Sequence, residues 1–282
     1  MVHLKAGASV ELAPPIHAAH DANPRPAHRA AGTVPPYYSA LAPFTALFRE
    51  GLPILTYHVI GPRPWGTRLK GLYVSPRLFN RQLAELRRAG FSVPSYDRAA
   101  ELALPVSPTV LISMDDATRK TGEHALPILA RHGCRAIQFV VAGLIGRSNV
   151  WQSAQGETEE PLMDDAQLRD WLAAGHEIGA HTMTHPRLTR IPRERAREEI
   201  VAGKKTLEDR FGIAIRHFCY PYGDHDAAVL ELVAEAGYRT ACTTQPGVNT
   251  PATPRLALRR VTARYRSLRL RTLFVCPSRL RA

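Results

Sequence analysis

No run of about 18 apolar residues occurs in this chain, and a helix needs roughly that length to cross a bilayer. No spanning helix is therefore expected. The N-terminus lacks a basic start followed by an apolar run, so no secretory signal peptide is read there and a cytoplasmic location is the expectation. Cysteine is scarce: Cys134, Cys219, Cys242 and Cys276, with no C-x-x-C spacing. That excludes a zinc ribbon and a thioredoxin-type motif, and it favours buried free thiols over a disulfide framework. Acidic side chains are missing from residues 255–282, which hold nine Arg and so +9 of the net charge of +12. Residues 1–254 are left nearly balanced. The basic charge is thus a feature of one end, read as a solvated, partly helical segment, and nucleic acid is not an expected partner. No histidine occurs after His225.

The 282 residues can bury a sizeable core. Residues 1–50 open with an Ala-, Pro- and His-rich stretch and read as a poorly ordered leader. Residues 51–262 read as one catalytic domain, and residues 263–282 as an Arg-rich tail. Within the domain, strand and helix patterns alternate. Short apolar runs predict strands over residues 53–57, 109–113, 136–141, 177–180, 215–220 and 239–243. Ser75-Pro76 opens a helix whose apolar face is Phe79, Leu83 and Leu86, with Gly90 at its end. Further helices are predicted over residues 122–132, from Asp164 or Asp165 to Gly175, over 192–210 and over 227–236. Such alternation specifies an α/β protein with a mainly parallel sheet, open or closed into a barrel. In both forms the reactive residues belong at the C-terminal ends of the strands.

Polar residues do fall there. His58 follows the first strand, Asp115-Asp116 the second, His181 and His185 the fourth, and Tyr222 the fifth. In His181-Thr-Met-Thr-His185 two imidazoles four residues apart can meet one metal ion, on a helical turn or in a compact loop. Two His and a carboxylate suit Zn²⁺ with room for water, and other divalent transition metals as well. Chance surface histidines are the plainer reading. Asp115-Asp116 is either a helix cap, a solvated turn, or a divided pair in which one carboxylate binds a metal and the other is a general base.

Four segments together resemble the polysaccharide deacetylase (NodB-homology) family: Ser113-Met-Asp-Asp-Ala117, Gly179-Ala-His-Thr-Met-Thr-His185, Phe218-Cys-Tyr-Pro-Tyr-Gly223 and Ile54-Leu-Thr-Tyr-His58. The resemblance runs from about residue 51 to about 262. It implies a distorted (β/α) barrel of about seven parallel strands and hydrolysis of acetyl groups, N-acetyl first, from a sugar polymer. It implies that Asp116, His181 and His185 hold a divalent metal, zinc first with Co²⁺ or Ni²⁺ as alternatives, and that Asp115 is the base. Pro221 and Tyr222 are implied to meet the substrate, with the backbone N–H at Tyr222 holding the oxyanion. His58 stands in as general acid, because the family's histidine near the C-terminus is absent. Trp151 in the loop 143–162 is a candidate for sugar stacking, as is Trp65, with ordinary packing as the plainer reading for both. That loop reads as a lid or a binding wall.

Three departures stand out. Met114 replaces an aromatic residue. Ala117 replaces a glycine, which matters only if the turn needs positive φ. Cys219 stands where the family has the arginine that holds the base, so Asp115 is expected to be held differently. The expected partner is an acetylated glycan, with a small amide as the alternative substrate and a degenerate glycan-binding protein as the non-enzymatic reading.

Overall fold

The computed structural model describes residues 34–97 and 108–265. Seven parallel strands close into a barrel in the order β1 (Ile54–Tyr57), β4 (Leu111–Asp115), β5 (Ile137–Val140), β6 (Glu177–Ala180), β7 (His217–Cys219), β8 (Thr240–Pro246) and β9 (Leu258–Thr262), with β9 returning to β1. The expected fold is borne out. A separate two-stranded pair, β2 (Val59–Ile60) with β3 (Tyr73–Val74), was not anticipated.

Burial on both faces explains why these strands read as unbroken apolar runs. All five residues of β4 are buried. Leu111 joins an interior cluster with Ile54, Ile137, Phe139, Cys219, Cys242 and Leu258. Ile112 and Met114, one step out of phase, pack instead in the larger shell of side chains that lies under the helices. The period of two therefore sends Ser113 and Asp115 the same way as Leu111, into the barrel. Gly179 is required by that interior: a Cβ there would lie 2.7 Å from the Phe139 ring and 2.8 Å from the His217 carbonyl.

The helices begin and end where local chemistry dictates. Ser75 accepts the Leu78 N–H and Pro76 starts α2 (Pro76–Arg88). α3 (Arg119–His132) ends at Gly133 in the left-handed conformation. Asp164 and Gln167 form a reciprocal capping box on α4 (Asp165–Ala173). α5 (Arg193–Phe211) buries Ala196, Ile200, Gly203 and Leu207, as its periodicity requires. α6 (Ala227–Glu235) is capped by Asp226.

Two expectations need correction. Residues 34–50 are not a loose leader. They form a short helix, α1 (Thr45–Arg49), and bury Tyr38, Phe44 and Phe48. Tyr38 stacks on Phe48 with 5.7 Å between ring centres, and Phe48 meets Phe91 edge-on at 6.3 Å. The Tyr38 N–H donates to the Thr262 carbonyl at 2.9 Å, and its carbonyl accepts the Arg264 N–H at 2.8 Å. Aromatic burial outweighed the low-complexity composition around it. The Arg-rich end is likewise not solvated throughout, because its first part, Leu258–Thr262, is the strand that closes the barrel. The rest of the expected leader, residues 1–33, and residues 266–282 of the tail, with Cys276, lie outside the described residues.

The aromatic contacts give a direct test. Phe48→Ala should lower unfolding stability by about 3–5 kcal/mol, measured by urea denaturation. A loss below about 1 kcal/mol would mean that this segment is not part of the folded core.

Candidate active site

β4 delivers Asp115 as its last residue, and the chain then turns through two left-handed residues, Asp116 (φ 72°) and Ala117 (φ 53°). The turn does need positive φ at Ala117, so this alanine bears a strain that a glycine would not. Its consequence is that the two neighbouring carboxylates face different partners.

Asp115 points into the barrel and meets Arg260 of β9 end-on. The guanidinium Nη1 donates to Oδ1 at 2.7 Å and Nη2 donates to Oδ2 at 2.8 Å. Arg260 is completed by the Thr243 carbonyl at 2.8 Å and the Ser113 hydroxyl at 3.2 Å. Both ions are buried. Burial alone would raise the Asp115 pKa, but the Arg260 charge and its hydrogen bonds override that and hold the carboxyl well below the usual range. Asp115 is thus held in a different way, as expected from Cys219 at the position of the family's arginine. A buried arginine does hold it, supplied by β9 rather than β7. Cys219 contributes a small side chain whose Sγ lies 3.2 Å from Arg260 Nη2.

Asp116 is also buried, yet its Oδ1 has no hydrogen-bond partner. It lies 3.6 Å from His181 Nε2 and 3.5 Å from His185 Nε2. His181 Nδ1 sits 2.6 Å from the Cys219 carbonyl. A carbonyl can only accept, so Nδ1 carries the proton and Nε2 presents a lone pair toward Asp116. Burial lowers the pKa of His181 to about 4, and burial, then the neighbouring His181, lower that of His185 well below normal. Both rings are neutral, as metal ligands must be. Burial and the Asp115 charge push Asp116 up to about 8. One ligand atom from each of Asp116, His181 and His185 lies within 4.8 Å of the others. Lone pairs converging on an unpartnered buried carboxylate oxygen fit a divalent cation. An overlapping group of Asp115, His181 and Cys219 fits less well, because Arg260 occupies both Asp115 oxygens and burial holds the thiol protonated.

The two histidines lie on a compact loop, not a helical turn. Thr182 (φ 68°) and His185 (φ 65°) are left-handed. Glu199 of α5 fastens the loop, accepting the N–H groups of Met183 at 2.9 Å and Thr184 at 2.8 Å and the Thr184 hydroxyl at 2.7 Å. Gly203 lets α5 come this close, for a Cβ there would stand 3.1 Å from the Thr182 backbone. Sequence reasoning missed Glu199 and Arg260. The available signals were a glutamate on the buried face of α5 and the apolar Leu258 and Val261 flanking Arg260.

The other expected residues gather at the same barrel end. His58 Nε2 is 3.8 Å from Asp115 Oδ2, with the ring about a quarter exposed. Burial lowers its pKa against the pull of Asp115. Trp151 is stacked on His185 with 4.2 Å between ring centres and is only 8% exposed, so it packs against the site rather than offering its face to a sugar. Tyr222 (φ 61°) covers another side of His185 at 4.7 Å. Pro221 is buried at the start of the same turn, Pro221–Gly223. The 143–162 loop is a fixed wall: Glu160 accepts from Lys120 at 2.8 Å and from the Tyr73 hydroxyl at 2.9 Å, and Gln155 reaches the Tyr222 hydroxyl at 3.3 Å. Trp65 stands apart, 99% exposed in the loop between β2 and β3.

Comparison with known proteins agrees with this geometry. The family model described as polysaccharide deacetylase matches residues 105–241. A Bacillus subtilis protein named as a polysaccharide deacetylase is 27% identical over 214 residues, covering 74% of this chain and 70% of that protein. A chitooligosaccharide deacetylase of Sinorhizobium fredii is 27% identical over 133 residues, 46% of this chain and 54% of its own length. Among solved structures, a Streptococcus pyogenes deacetylase in complex with acetate superposes with a TM-score of 0.67 at 25% identity, covering 76% of this chain and 92% of that one. A barrel whose strand ends carry this arrangement is similar in sequence and in fold to polysaccharide deacetylases, and these likenesses indicate a hydrolase of carbon–nitrogen bonds other than peptide bonds.

Proposed function

We propose that the chain removes N-acetyl groups from an acetylated glycan, with Asp115 as general base and a divalent cation held by Asp116, His181 and His185. The observation that carries this reading is the division of labour across one turn: an arginine-clamped carboxylate on one side and a neutral His₂–Asp group on the other. Zinc is the first choice of cation, with cobalt or nickel as alternatives. When bound, such a cation supplies Lewis acidity toward water and the acetyl carbonyl.

The protein's own groups then act in sequence. Asp115 takes a proton from the water that attacks the acetyl carbon. The Tyr222 N–H steadies the oxygen that becomes negative. A carboxyl held so acidic by Arg260 does not keep a proton, and His58 is the neighbouring group able to receive it. As the carbon–nitrogen bond breaks, His58 donates to the departing nitrogen, and acetate and a free amine result.

Acetate release from N-acetylglucosamine oligomers should disappear on metal removal and return with Zn²⁺ or Co²⁺. Asp115→Asn should retain the metal but lose turnover about 100-fold or more, whereas His181→Ala should lose both. Turnover independent of added metal would overturn the reading. His58→Ala should slow amide hydrolysis at least about 100-fold but affect p-nitrophenyl acetate far less, since that leaving group needs no proton. Equal losses on the two substrates would remove His58 from the acid role. Arg260→Leu should cost about 3–5 kcal/mol by stranding a buried charge. The double variant with Asp115→Asn should regain part of that stability and none of the activity.

A further inference from the structure

Trp65 is the largest exposed apolar side chain among the described residues. It shares a surface depression of about 700 Å³ with Arg63, Thr67, Arg68 and Lys70. A single exposed apolar residue needs no explanation. The setting of this one is different in charge and in position.

The local charge does not cancel. Arg68 is neutralised by Glu157, which it meets at 3.3 Å. Arg63 and Lys70 have no acidic partner among the described residues. Of the acids of the facing 143–162 wall, Glu157 pairs with Arg68 and Glu160 with Lys120, while Glu159 is hydrogen-bonded to the neutral Ser148 hydroxyl and keeps its charge. On the Tyr222 side of the site, Arg187 lies 4.0 Å above the Tyr222 ring, again with no acidic partner among the described residues. Arg63 and Lys70 on one side of the site and Arg187 on another therefore carry positive charge with no ion-pair partner among the described residues.

The depression also borders the reacting end. Thr67 lines both it and a narrow cleft whose other walls include Asp116, Asn149 and Gln152. Glu157 ties the two loops together, accepting the backbone N–H groups of Arg68 at 3.0 Å and Leu69 at 3.2 Å. A chain with its acetyl group near Asp116 would leave the site past this loop, with Trp65 and the two cations on its outer side.

We propose that Trp65, Arg63 and Lys70 form an outer subsite that makes the substrate an anionic acetylated glycan, one bearing carboxylate or phosphate groups, rather than a neutral oligosaccharide. This rests on the deacetylase reading, which supplies the reacting end of the cleft. The indole offers a flat face to a sugar ring, and the two cations pair with the acidic groups that flank it.

The test is affinity, measured without turnover, for three probes: a hyaluronan decamer, a phosphate-linked polymer carrying N-acetylglucosamine, and chitohexaose. At least one acidic polymer should bind about tenfold more tightly than chitohexaose, and more weakly as salt rises from about 50 to about 200 mM. The polymer that wins identifies the acidic group. Trp65→Ala should weaken that binding about fivefold to tenfold, with an unchanged thermal midpoint to verify the fold. Arg63→Gln with Lys70→Gln should weaken it about tenfold and flatten the salt dependence. Arg77→Gln with Arg88→Gln, which removes the same charge from α2, should change it less than about twofold. Chitohexaose binding as tightly as both acidic polymers would overturn the proposal. So would equal losses in the two double variants, or a patch that binds phosphatidylglycerol vesicles and no glycan. Acetate release is scored separately: if no glycan yields acetate, the deacetylase reading fails while the affinities still judge this subsite.

Discussion

The site depends on one ion pair, Arg260 with Asp115, deep in the barrel and joined by two parallel hydrogen bonds. A charge in that position is costly unless it is both paired and fully hydrogen-bonded. Arg260 meets the requirement by directing its remaining donors to Ser113, Thr243 and Cys219. The pair also ties β9, which closes the barrel, to β4, which carries both carboxylates. Closure of the fold and orientation of Asp115 are therefore linked through the same guanidinium. In the proposed mechanism a carboxylate held this way is ionised but weakly basic, which is why His58 is assigned the proton that Asp115 takes.

Strain is concentrated where the chemistry is. Among the described residues, the non-glycine residues with left-handed backbone are Asp116, Ala117, Thr182, His185 and Tyr222. Each costs about 1–3 kcal/mol and persists only where its surroundings over-determine it. The surroundings are identifiable. Glu199 holds the loop around Thr182 from beneath, and the rings of Trp151, His181 and Tyr222 enclose His185. Barrel strands end in regular geometry, and left-handed residues just beyond them turn the side chains inward.

Much of this was legible in the sequence because the strands are buried on both faces and the helices carry conventional caps. The apolar run ending in Asp115-Asp116 and the paired histidines announced themselves by residue type and position. Arg260 did not, because it lies in a stretch crowded with arginines that reads as solvated charge. Only the closed barrel shows that Leu258, Arg260 and Val261 are buried there while Arg259 is exposed. Tyr38, Phe44 and Phe48 were hidden for a related reason: three aromatics carry the burial in a segment whose composition otherwise suggests disorder. In both places a few side chains outweighed the average character of their neighbours.

The two adjacent aspartates complete the argument. They share a backbone and nearly the same burial, yet their acidities are driven apart. Asp115 faces a guanidinium and stays ionised. Asp116 faces two neutral imidazoles, and burial followed by the negative charge of Asp115 pushes its pKa up to about 8. A second fixed guanidinium beside Asp116 would have quenched it as a ligand. Instead the site leaves one carboxylate oxygen without a hydrogen-bond partner and aims His181 and His185 at it. In the proposed reading a divalent cation would satisfy an orphaned oxygen and two lone pairs together, and binding it would restore the negative charge on Asp116 that burial disfavours.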